Sequence, residues 1–386
     1  MKKSVRVTLY VLSLLMVAGV FVLIIFSGRT KKTDSSDVKP TMDVTVEETV
    51  TEEEVAAPTE EAETETELVA ETEEPQKDTV LMFAGDVMLA HQVFEANYEA
   101  EGITGILSKE LLTEMQEADI LMVNHEFAFS TQGSPEDKQY TFRSDPKYVT
   151  TLNEMGVDIV TLANNHALDY GKVALSDTFQ TLDGAGILYS GAGETVERAE
   201  ELQIIEANGK KFGFLSASRV VPNANWKVEY SAPGLFTAYD YHRLVELVEE
   251  ADSQCDYLTV YVHWGVERDA YPQDYQTAIA NACVEAGADL IVGSHPHCLQ
   301  GIEYMNGKPV YYSLGNFIFG YGIERTAALK VTIGADDSVT FQLLPAFAAN
   351  GKTQLMEAGA ASDVYDYMEE ISVNAQVDEN GYVTER

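Results

Sequence analysis

Two histidines separated by one residue occur in Gly293–Gly301, the stretch GSHPHCLQG. They follow AGADLIV, an apolar run that predicts a buried strand leaving a helix. In an extended chain, residues two apart project to the same side, and Pro296 biases the residue before it towards extended geometry. The spacing therefore predicts that His295 and His297 present both rings to one metal ion or to two adjacent ions.

Four other predicted strands also end in side chains that bind metals or transfer protons. These side chains are Asp86, the run Asn124-His125-Glu126, the run Asn164-Asn165-His166, and His263. Taken singly, each has an ordinary explanation as a helix cap, a turn residue or a partly buried histidine. Together they would form a buried polar cluster that is costly without a shared partner, and a divalent cation removes that cost.

Ligands bind at the carboxyl ends of strands in open α/β sheets, which is where these side chains are expected to gather. The predicted metal ligands are Asp86, Glu126, Asn165, His263, His295 and His297. Carboxylate and amide oxygens combined with imidazole nitrogens suit Mn²⁺, Fe or Zn²⁺ better than copper. We therefore expect one or two divalent metal ions as the cofactor.

Alternating strands and helices must position this cluster. Three apolar strand patterns within residues 79–163 alternate with three helical patterns within residues 106–186, which predicts a parallel, helix-covered sheet. In the second half, Asn208-Gly209 and Asn306-Gly307 each separate two apolar runs and predict hairpins. The predicted fold class is α/β, with two packed mixed β-sheets flanked by helices.

Composition divides the chain into four segments. Residues 1–33 contain Val7–Ser27, an uncharged run whose helix would be about 31 Å long and match a bilayer. We predict a retained membrane anchor there, with a cleaved signal peptide as the alternative. Residues 34–78 are rich in Glu and Asp and predict a disordered acidic linker. Residues 79–345 form the predicted domain, and residues 346–386 a C-terminal extension with a short helix near 361–370 and a polar tail.

The chain is strongly acidic, with a formal net charge of −38 and a pI of about 4.3. Nucleic-acid binding needs a basic surface, so we exclude nucleic acid as a partner. An anionic polymer would also be repelled unless a metal ion or a local basic pocket admitted it.

The order of motifs from about Thr79 to Phe319 resembles the bacterial capsule-synthesis CapA family of poly-γ-glutamate capsule proteins. The matching stretches are FAGDVML, NHEFAFS, YTFRSDP, LANNHALDYG, VHWGVE, GADLIVGSHPHCLQGIE and YYSLGNFIF. The family looks like a divergent branch of the calcineurin-like metallophosphoesterases. The resemblance implies a four-layer αββα fold, a role in capsule or exopolymer synthesis, and a domain held outside the cell membrane by a single-pass anchor.

The resemblance also implies residue roles. His166 matches the imidazole that gives a proton to the leaving group, next to the amide ligand Asn165. Glu126 lies near the position of the bridging carboxylate. The remaining metal positions are matched by Asp86, His263, His295 and His297. The first motif departs from the phosphoesterase pattern, because Met88 stands where a histidine is expected and His91 lies at the wrong spacing. Phosphatase activity therefore does not follow from the fold.

Further polar residues are expected to line the site. Arg143 in TFRSDP is a candidate clamp for a carboxylate or phosphate, with a surface ion pair as the alternative. Glu267 is a candidate base or hydrogen-bond partner of a ligand histidine. The expected substrate-binding residues are Asn124, Asn164 and Asn316, the last with a turn role as its alternative.

Two functions are compatible with these residues. One is a membrane-anchored, metal-dependent hydrolase or transferase that acts on an anionic polymer such as poly-γ-glutamate, or on a phosphorylated or peptidic envelope component. The other is a non-catalytic assembly or export factor whose metal pocket grips the polymer beside a membrane-bound synthase. Met88 favours binding, whereas the Asn165-His166 pair favours catalysis.

Overall fold

The computed structural model describes residues 77–320 and 322–386. The predicted anchor at 1–33, and all but the end of the predicted linker at 34–78, lie outside the described residues. Within them, no helix is both long enough and apolar enough to cross a membrane.

Strands make up most of the regular structure of the described residues. In chain order they are β1 (Thr79–Val87), β2 (Ile120–His125), β3 (Ala128–Phe129), β4 (Arg143–Ser144), β5 (Ile159–Thr161), β6 (Leu188–Ser190), β7 (Ala192–Gly193), β8 (Gln203–Ala207), β9 (Lys210–Ser218), β10 (Gly234–Leu235), β11 (Tyr257–His263), β12 (Leu290–Ser294), β13 (Leu299–Met305), β14 (Lys308–Leu314), β15 (Asn316–Ile318), β16 (Ile323–Ile333), β17 (Val339–Ala349), β18 (Lys352–Leu355), β19 (Ala375–Val377) and β20 (Tyr382–Glu385).

Helices connect and cover these strands. The α-helices are α1 (Gln92–Glu101), α2 (Lys109–Gln116), α3 (Val149–Met155), α4 (Gly171–Ala185), α5 (Val196–Ala199), α6 (His242–Asp252), α7 (Asp274–Glu285) and α8 (Ala358–Ile371). Short 3₁₀ turns occur at Gly102–Gly105, Pro146–Tyr148 and Ala224–Trp226.

Two large mixed sheets contain the main strands. The ten-stranded sheet has the order β19-β20-β17-β16-β1-β2-β5-β6, with β15 also paired to β1 and β18 to β17. Its strands β1, β2, β5 and β6 are parallel, whereas β16 runs antiparallel to β1. The six-stranded sheet has the order β13-β14-β12-β11-β9-β8, with a parallel centre and an antiparallel strand at each edge.

The two sheets pack face to face, and helices cover their outer faces. Leu81 and Phe83 of β1 share one apolar cluster with Phe212 and Tyr261 of the second sheet. Alternate residues of a strand point to opposite faces, so the β1 residue between them, Met82, faces the helices α2, α3 and α4 instead. Residues of α6 and α7 likewise pack on the outer face of the second sheet. Packed mixed sheets flanked by helices are thus confirmed.

Both predicted hairpins are present. Asn208-Gly209 joins β8 to β9, and Asn306-Gly307 joins β13 to β14. All four turn residues have positive φ, between 50° and 82°, as the two-residue turn of an Asn-Gly hairpin requires.

The C-terminal segment differs from the prediction. The boundary at residue 345 falls inside β17, and the expected polar tail forms β19 and β20, of which β20 pairs with β17. Helix α8 begins at Ala358 and buries Val364, Met368 and Ile371 against the inter-sheet core. The sequence signal is weak because β19 and β20 are short and bury few side chains. Residues 346–386 therefore belong to the folded domain.

Candidate metal centre

Strand pairing brings the polar strand ends together. In the parallel register of the large sheet, Asp86 pairs with Asn124 of β2 on one side and with Asn316 of β15 on the other. In the second sheet, His263 pairs with Ser294, the residue before His295. The Tyr261 hydroxyl donates to the Ala84 carbonyl at 3.0 Å and ties the two sheets together just below these ends.

A close backbone approach explains the glycine before Asp86. The Asp86 backbone N–H donates to the Gly315 carbonyl at 2.9 Å. A Cβ atom on Gly85 would lie 1.9 Å from that same carbonyl oxygen, so no other residue fits without moving the strand. The motif AGD therefore fixes where the Asp86 carboxylate sits.

The predicted ligands form two overlapping groups. One contains Glu126, His263 and His295, and the other contains Asp86, Glu126 and His297; in each, the donor atoms lie within 4.8 Å of one another. The sixth predicted ligand joins the first group, because Asn165 Oδ1 lies 2.6 Å from His263 Nε2. Glu126 belongs to both groups, which is the arrangement of a carboxylate that bridges two neighbouring ions.

Glu126 is the least compensated charge of the centre. Its side chain is fully buried and neither carboxylate oxygen has a hydrogen-bond partner among the described residues. Its nearest cationic candidate, His263 Nε2, is 3.7 Å from Oε1. Burial raises the pKa of Glu126 well above its ordinary value, and the neighbouring Asp86 raises it further. A carboxylate in this environment is stabilised by a bound cation.

Two of the histidines are held neutral. Burial lowers the pKa of His263 well below its ordinary value, and the other histidines of the centre add to this shift. Burial also lowers the pKa of His295 to about 4, with His297 contributing. The His295 Nδ1 atom has no hydrogen-bond partner in the described part of the chain. His295 is therefore in the form that binds metals, a neutral imidazole with a free nitrogen, whereas His263 Nδ1 lies 3.0 Å from Ser294 Oγ and Nε2 lies 2.6 Å from Asn165 Oδ1.

His297 behaves differently because it lies beside the carboxylates. Burial alone would lower its pKa, but Glu126 and Asp86 outweigh burial and raise the pKa to about 10. His297 Nδ1 lies 3.1 Å from Asp86 Oδ2 and 2.7 Å from Asn316 Oδ1. A protonated His297 thus supplies positive charge to the second group of ligands.

The backbone of the histidine loop is not extended as predicted. His295 has φ 100° and His297 has φ 57°, both in the left-handed region that residues with a Cβ rarely adopt. Proline restricts the residue before it, but tertiary packing overrides that local preference here. Both rings still reach the centre, with centroids 5.8 Å apart. Strained backbone of this kind persists where the surrounding structure holds it, often at functional sites.

A half-buried lysine and a buried aspartate hold the predicted proton donor. Asp169 Oδ2 lies 2.7 Å from His166 Nδ1, and Asp169 Oδ1 accepts from Lys138 Nζ at 2.6 Å. Lys138 Nζ also donates to the Asn165 carbonyl at 2.6 Å. The short contact to a carboxylate places the ring proton on Nδ1, which leaves Nε2 for the cavity that His166 lines. Sequence reasoning missed both residues, although Asp169 stands three positions after His166 in NHALD.

The three predicted substrate-binding asparagines instead hold the ligands in place. The buried Asn124 donates to Asp86 Oδ1 at 2.7 Å and accepts from Asn164 at 3.1 Å. Asn164 also donates to the His125 carbonyl at 2.8 Å. Asn316 lines the cavity but directs its amide oxygen to His297. Asn124 and Asn164 have protein partners on both amide atoms and are not free for a substrate, whereas a substrate contact from Asn316 stays a prediction.

Arg143 does not line the cavity beside the centre, whereas Glu267 does, and its role as a base stays a prediction. Arg143 Nη1 donates to the Gln132 carbonyl at 2.6 Å, and its guanidinium stacks 4.1 Å above the Tyr170 ring. The local sequence gave no indication of these partners, which come from a distant loop. Glu267 is exposed at the rim of a cavity of about 740 Å³ and, in the described residues, makes no hydrogen bond to a ligand histidine.

No histidine takes the place of the one that is missing from the first motif, where Met88 stands, among the described residues of the centre. Met88 is buried in the apolar core on the helix side of the large sheet. His91 caps helix α1, where its Nδ1 accepts from the Val93 N–H at 3.3 Å. Neither residue belongs to the two groups of metal-binding side chains.

The fold and this carboxylate–imidazole centre define a mixed α/β protein with a candidate metal site at its strand ends. The model of the bacterial capsule synthesis protein family PGA_cap matches residues 80–321, and the chain belongs to that family. This confirms the family resemblance read from the motifs.

Named relatives agree with the family. The chain is 32% identical over 247 residues to the PGA biosynthesis protein CapA of Bacillus subtilis, covering 63% of this chain and 64% of the relative. It is 33% identical to the capsule biosynthesis protein CapA of Bacillus anthracis over 49% and 47% of the two chains. A probable polyglutamine synthesis accessory protein of Mycobacterium tuberculosis is 27% identical over 59% of this chain and 65% of the relative. The chain thus spans less than two thirds of each relative's length.

Proposed function

We propose that the chain is a metal-dependent hydrolase or transferase that acts on an anionic polymer in capsule synthesis. The observation that carries this proposal is Glu126, a fully buried carboxylate without a hydrogen-bond partner among the described residues, placed between two sets of metal-binding side chains. A purely structural carboxylate would be paired or replaced, because an unpaired buried charge destabilises the fold.

The residues present fit a divalent ion. The donors are carboxylate oxygens, an amide oxygen and neutral imidazoles, which match Mn²⁺, Fe or Zn²⁺. Glu126 and His295 both offer atoms that have no partner within residues 77–320 and 322–386. A bound ion would supply electrophilic activation of water and neutralise charge on the leaving group.

The chain's own residues would supply proton transfer. Asp169 accepts the Nδ1 proton of His166 and leaves Nε2 to exchange a proton with a substrate in the cavity. Burial lowers the pKa of His166, while the bond to Asp169 opposes that shift. A proton donor of this kind has no use in a protein that only binds a polymer, so the Lys138-Asp169-His166 arrangement favours catalysis.

The cellular setting of the proposal comes from the sequence and the relatives. Relatives named for PGA and capsule biosynthesis, and an accessory protein of polyglutamine synthesis, point to a polyglutamate polymer and a partner synthase or export complex. The uncharged run Val7–Ser27 supports a single-pass anchor in the cell membrane with the domain outside. On this proposal the protein works on nascent polymer close to the membrane.

A second candidate function is a non-catalytic assembly factor that grips the polymer through its metal site. Met88 favours it, because the side chain at the first-motif position is buried and gives no ligand. Fewer ligands weaken one of the two ion positions, and a two-ion mechanism depends on both.

One variant of the full chain tests the metal site, and a second separates the two candidate functions. His295→Ala should lower the Mn, Fe or Zn content measured by elemental analysis, and it should abolish function whether the protein is an enzyme or an assembly factor. His166→Ala should keep the metal but slow turnover of a γ-glutamyl oligomer or a phosphodiester by roughly 10²–10⁴-fold if His166 moves a proton. His242→Ala, an exposed histidine paired with Asp240, is the matched control. Full polymer output in cells with His166→Ala would reject catalysis by this route.

A further inference from the structure

The cavity beside the metal centre carries two Glu-Arg pairs at its rim. Glu267-Arg268 follows strand β11, and Glu324-Arg325 lies near the start of strand β16. All four side chains line the same cavity as His166 and His297. Two segments that are distant in sequence therefore each contribute a Glu-Arg pair to the rim of this cavity.

Arg268 is fixed to the histidine loop. Its φ is 62°, which is uncommon for a residue with a Cβ, and its backbone N–H donates to the Pro296 carbonyl at 2.7 Å. Pro296 stands between the two ligand histidines. The backbone bond thus sets the position of Arg268 relative to the metal centre, and strain of this kind is found at functional sites.

Arg325 is oriented by packing and by an irregular strand. Its guanidinium stacks 4.3 Å from the centroid of the Tyr367 ring. The pairing of β16 with β17 shifts register between Ile323 and Thr326, and such bulges redirect side chains. These features keep the exposed arginine turned to the cavity, which Tyr367 also lines.

The two arginines lack the carboxylate partners that Arg198, Arg243 and Arg386 have. Arg243, for comparison, pairs with Glu200, Glu246 and Glu250. Within residues 77–320 and 322–386, neither Arg268 nor Arg325 forms an ion pair with a carboxylate. In a protein of net charge −38, unpaired guanidinium groups beside a candidate active site are available to an external anion.

We propose that Arg268 and Arg325 bind successive carboxylates of a linear polycarboxylate while Glu267 and Glu324 accept its amide N–H groups. This inference rests on the proposed function and names the residues that select the substrate. The sequence indicated Arg143 as a candidate clamp for an anionic group. This proposal assigns that role to Arg268 and Arg325 instead.

Glu267 and Glu324 favour an anionic polymer with amide N–H groups over one without them. A γ-linked glutamate chain offers one carboxylate and one amide N–H per residue, so a Glu-Arg pair satisfies both groups. A polyphosphate carries closely spaced charges and no N–H donor, and the carboxylates of Glu267 and Glu324 would repel it. Charge-assisted bonds from guanidinium to carboxylate are also geometrically specific, because they can be bidentate.

The test is binding of a fluorescent γ-linked glutamate oligomer to the full chain in the presence of Mn²⁺. The double variant Arg268→Gln/Arg325→Gln should bind at least tenfold more weakly, and each single variant by a smaller factor. The control is Arg386→Gln, an exposed arginine that pairs with Glu369 away from the cavity. Metal content and thermal unfolding should match the wild type in all of these variants, because both arginines are exposed.

Four outcomes make the test decisive. Equal affinity of the double variant and the wild type for the oligomer overturns this inference while leaving metal-dependent turnover intact. Tighter binding of polyphosphate than of the glutamate oligomer overturns the choice of polycarboxylate. Conversely, Glu267→Gln/Glu324→Gln should raise polyphosphate affinity severalfold. A wild type that neither binds the oligomer nor shows metal-dependent turnover rejects the proposed function itself.

Discussion

At the scale of single residues, a proton and a divalent ion would compete for the same carboxylates of the candidate centre. Glu126 and Asp86 raise the pKa of His297 to about 10, whereas burial keeps His263 and His295 neutral. Two imidazoles are therefore ready to bind metal at neutral pH, and the third must first lose a proton.

This competition predicts that metal affinity rises with pH. The protonated form of His297 stabilises the folded state. This stabilisation is fully present at pH values below the ordinary histidine pKa of 6.5, and it is lost as the pH rises through the folded-state pKa of about 10. A metal ion displaces that proton, so the Kd for Mn²⁺ should fall by about tenfold or more per pH unit between pH 6 and 8. Calorimetric titration in buffers of different ionisation enthalpy should detect at least about one released proton per ion, since the pKa of Glu126 is raised as well. His297→Gln should weaken binding and reduce the slope; an affinity independent of pH in the wild type would contradict this reading.

Asp169 is predicted to matter through the proton of His166. Asp169→Asn keeps the size of the side chain but removes the negative charge that faces His166 and Lys138, and replaces one of the two acceptor oxygens with an NH₂ donor. Turnover should fall at least tenfold while the metal content stays unchanged, and the pH profile of kcat should shift because the ring loses its charged partner. Asp240→Asn breaks the exposed Asp240–His242 pair and is the matched control. A loss of metal in Asp169→Asn would instead indicate a structural role.

At the scale of elements, strand β1 and the turn before β15 must touch for the centre to form. Gly85→Ala would push a methyl group into the Gly315 carbonyl and break the bond from the Asp86 N–H. We expect a loss of about 1–3 kcal/mol or more in the free energy of unfolding, together with weaker metal binding.

Gly184→Ala is the control for that substitution. Gly184 lies in helix α4 with open space around its Cβ position, so alanine there should stabilise the protein by about 0.5–1 kcal/mol. Denaturant unfolding and metal titration of both variants test the pair. Equal stability of Gly85→Ala and the wild type would mean that the close approach is not needed.

The elements also show which features the sequence reveals. Strand-end residues such as Asp86 and His263 could be found because their strands are continuous apolar runs, and parallel pairing then brings the ends together. Both hairpins follow from the chemistry of Asn-Gly. The left-handed conformation of His295 and His297 could not be found, because tertiary packing sets it against local preference. Lys138 was missed for a related reason: its three polar contacts lie 27 to 31 residues away.

At the scale of the whole molecule, a strongly acidic chain is proposed to handle an acidic polymer. The net charge of −38 repels such a substrate at long range, and salt at physiological strength screens this repulsion beyond about 8 Å. Close to the centre, the proposed metal ion and the two rim arginines, Arg268 and Arg325, would supply the positive charge that such a substrate needs. A substrate held near the domain by the proposed membrane anchor would need no long-range attraction.

The last prediction therefore concerns residues 1–33. Deleting them should leave the domain that begins with β1 folded and able to bind metal, while moving the protein from the membrane fraction to the soluble fraction. Polymer output in cells should fall although turnover by the purified protein does not change. A matched deletion of residues 45–65 keeps Val7–Ser27 and should leave the protein in the membrane with near-normal output, because an acidic linker tolerates changes in length. Wild-type protein recovered from the medium with an N-terminus near Lys31 would show instead that the segment is a cleaved signal peptide.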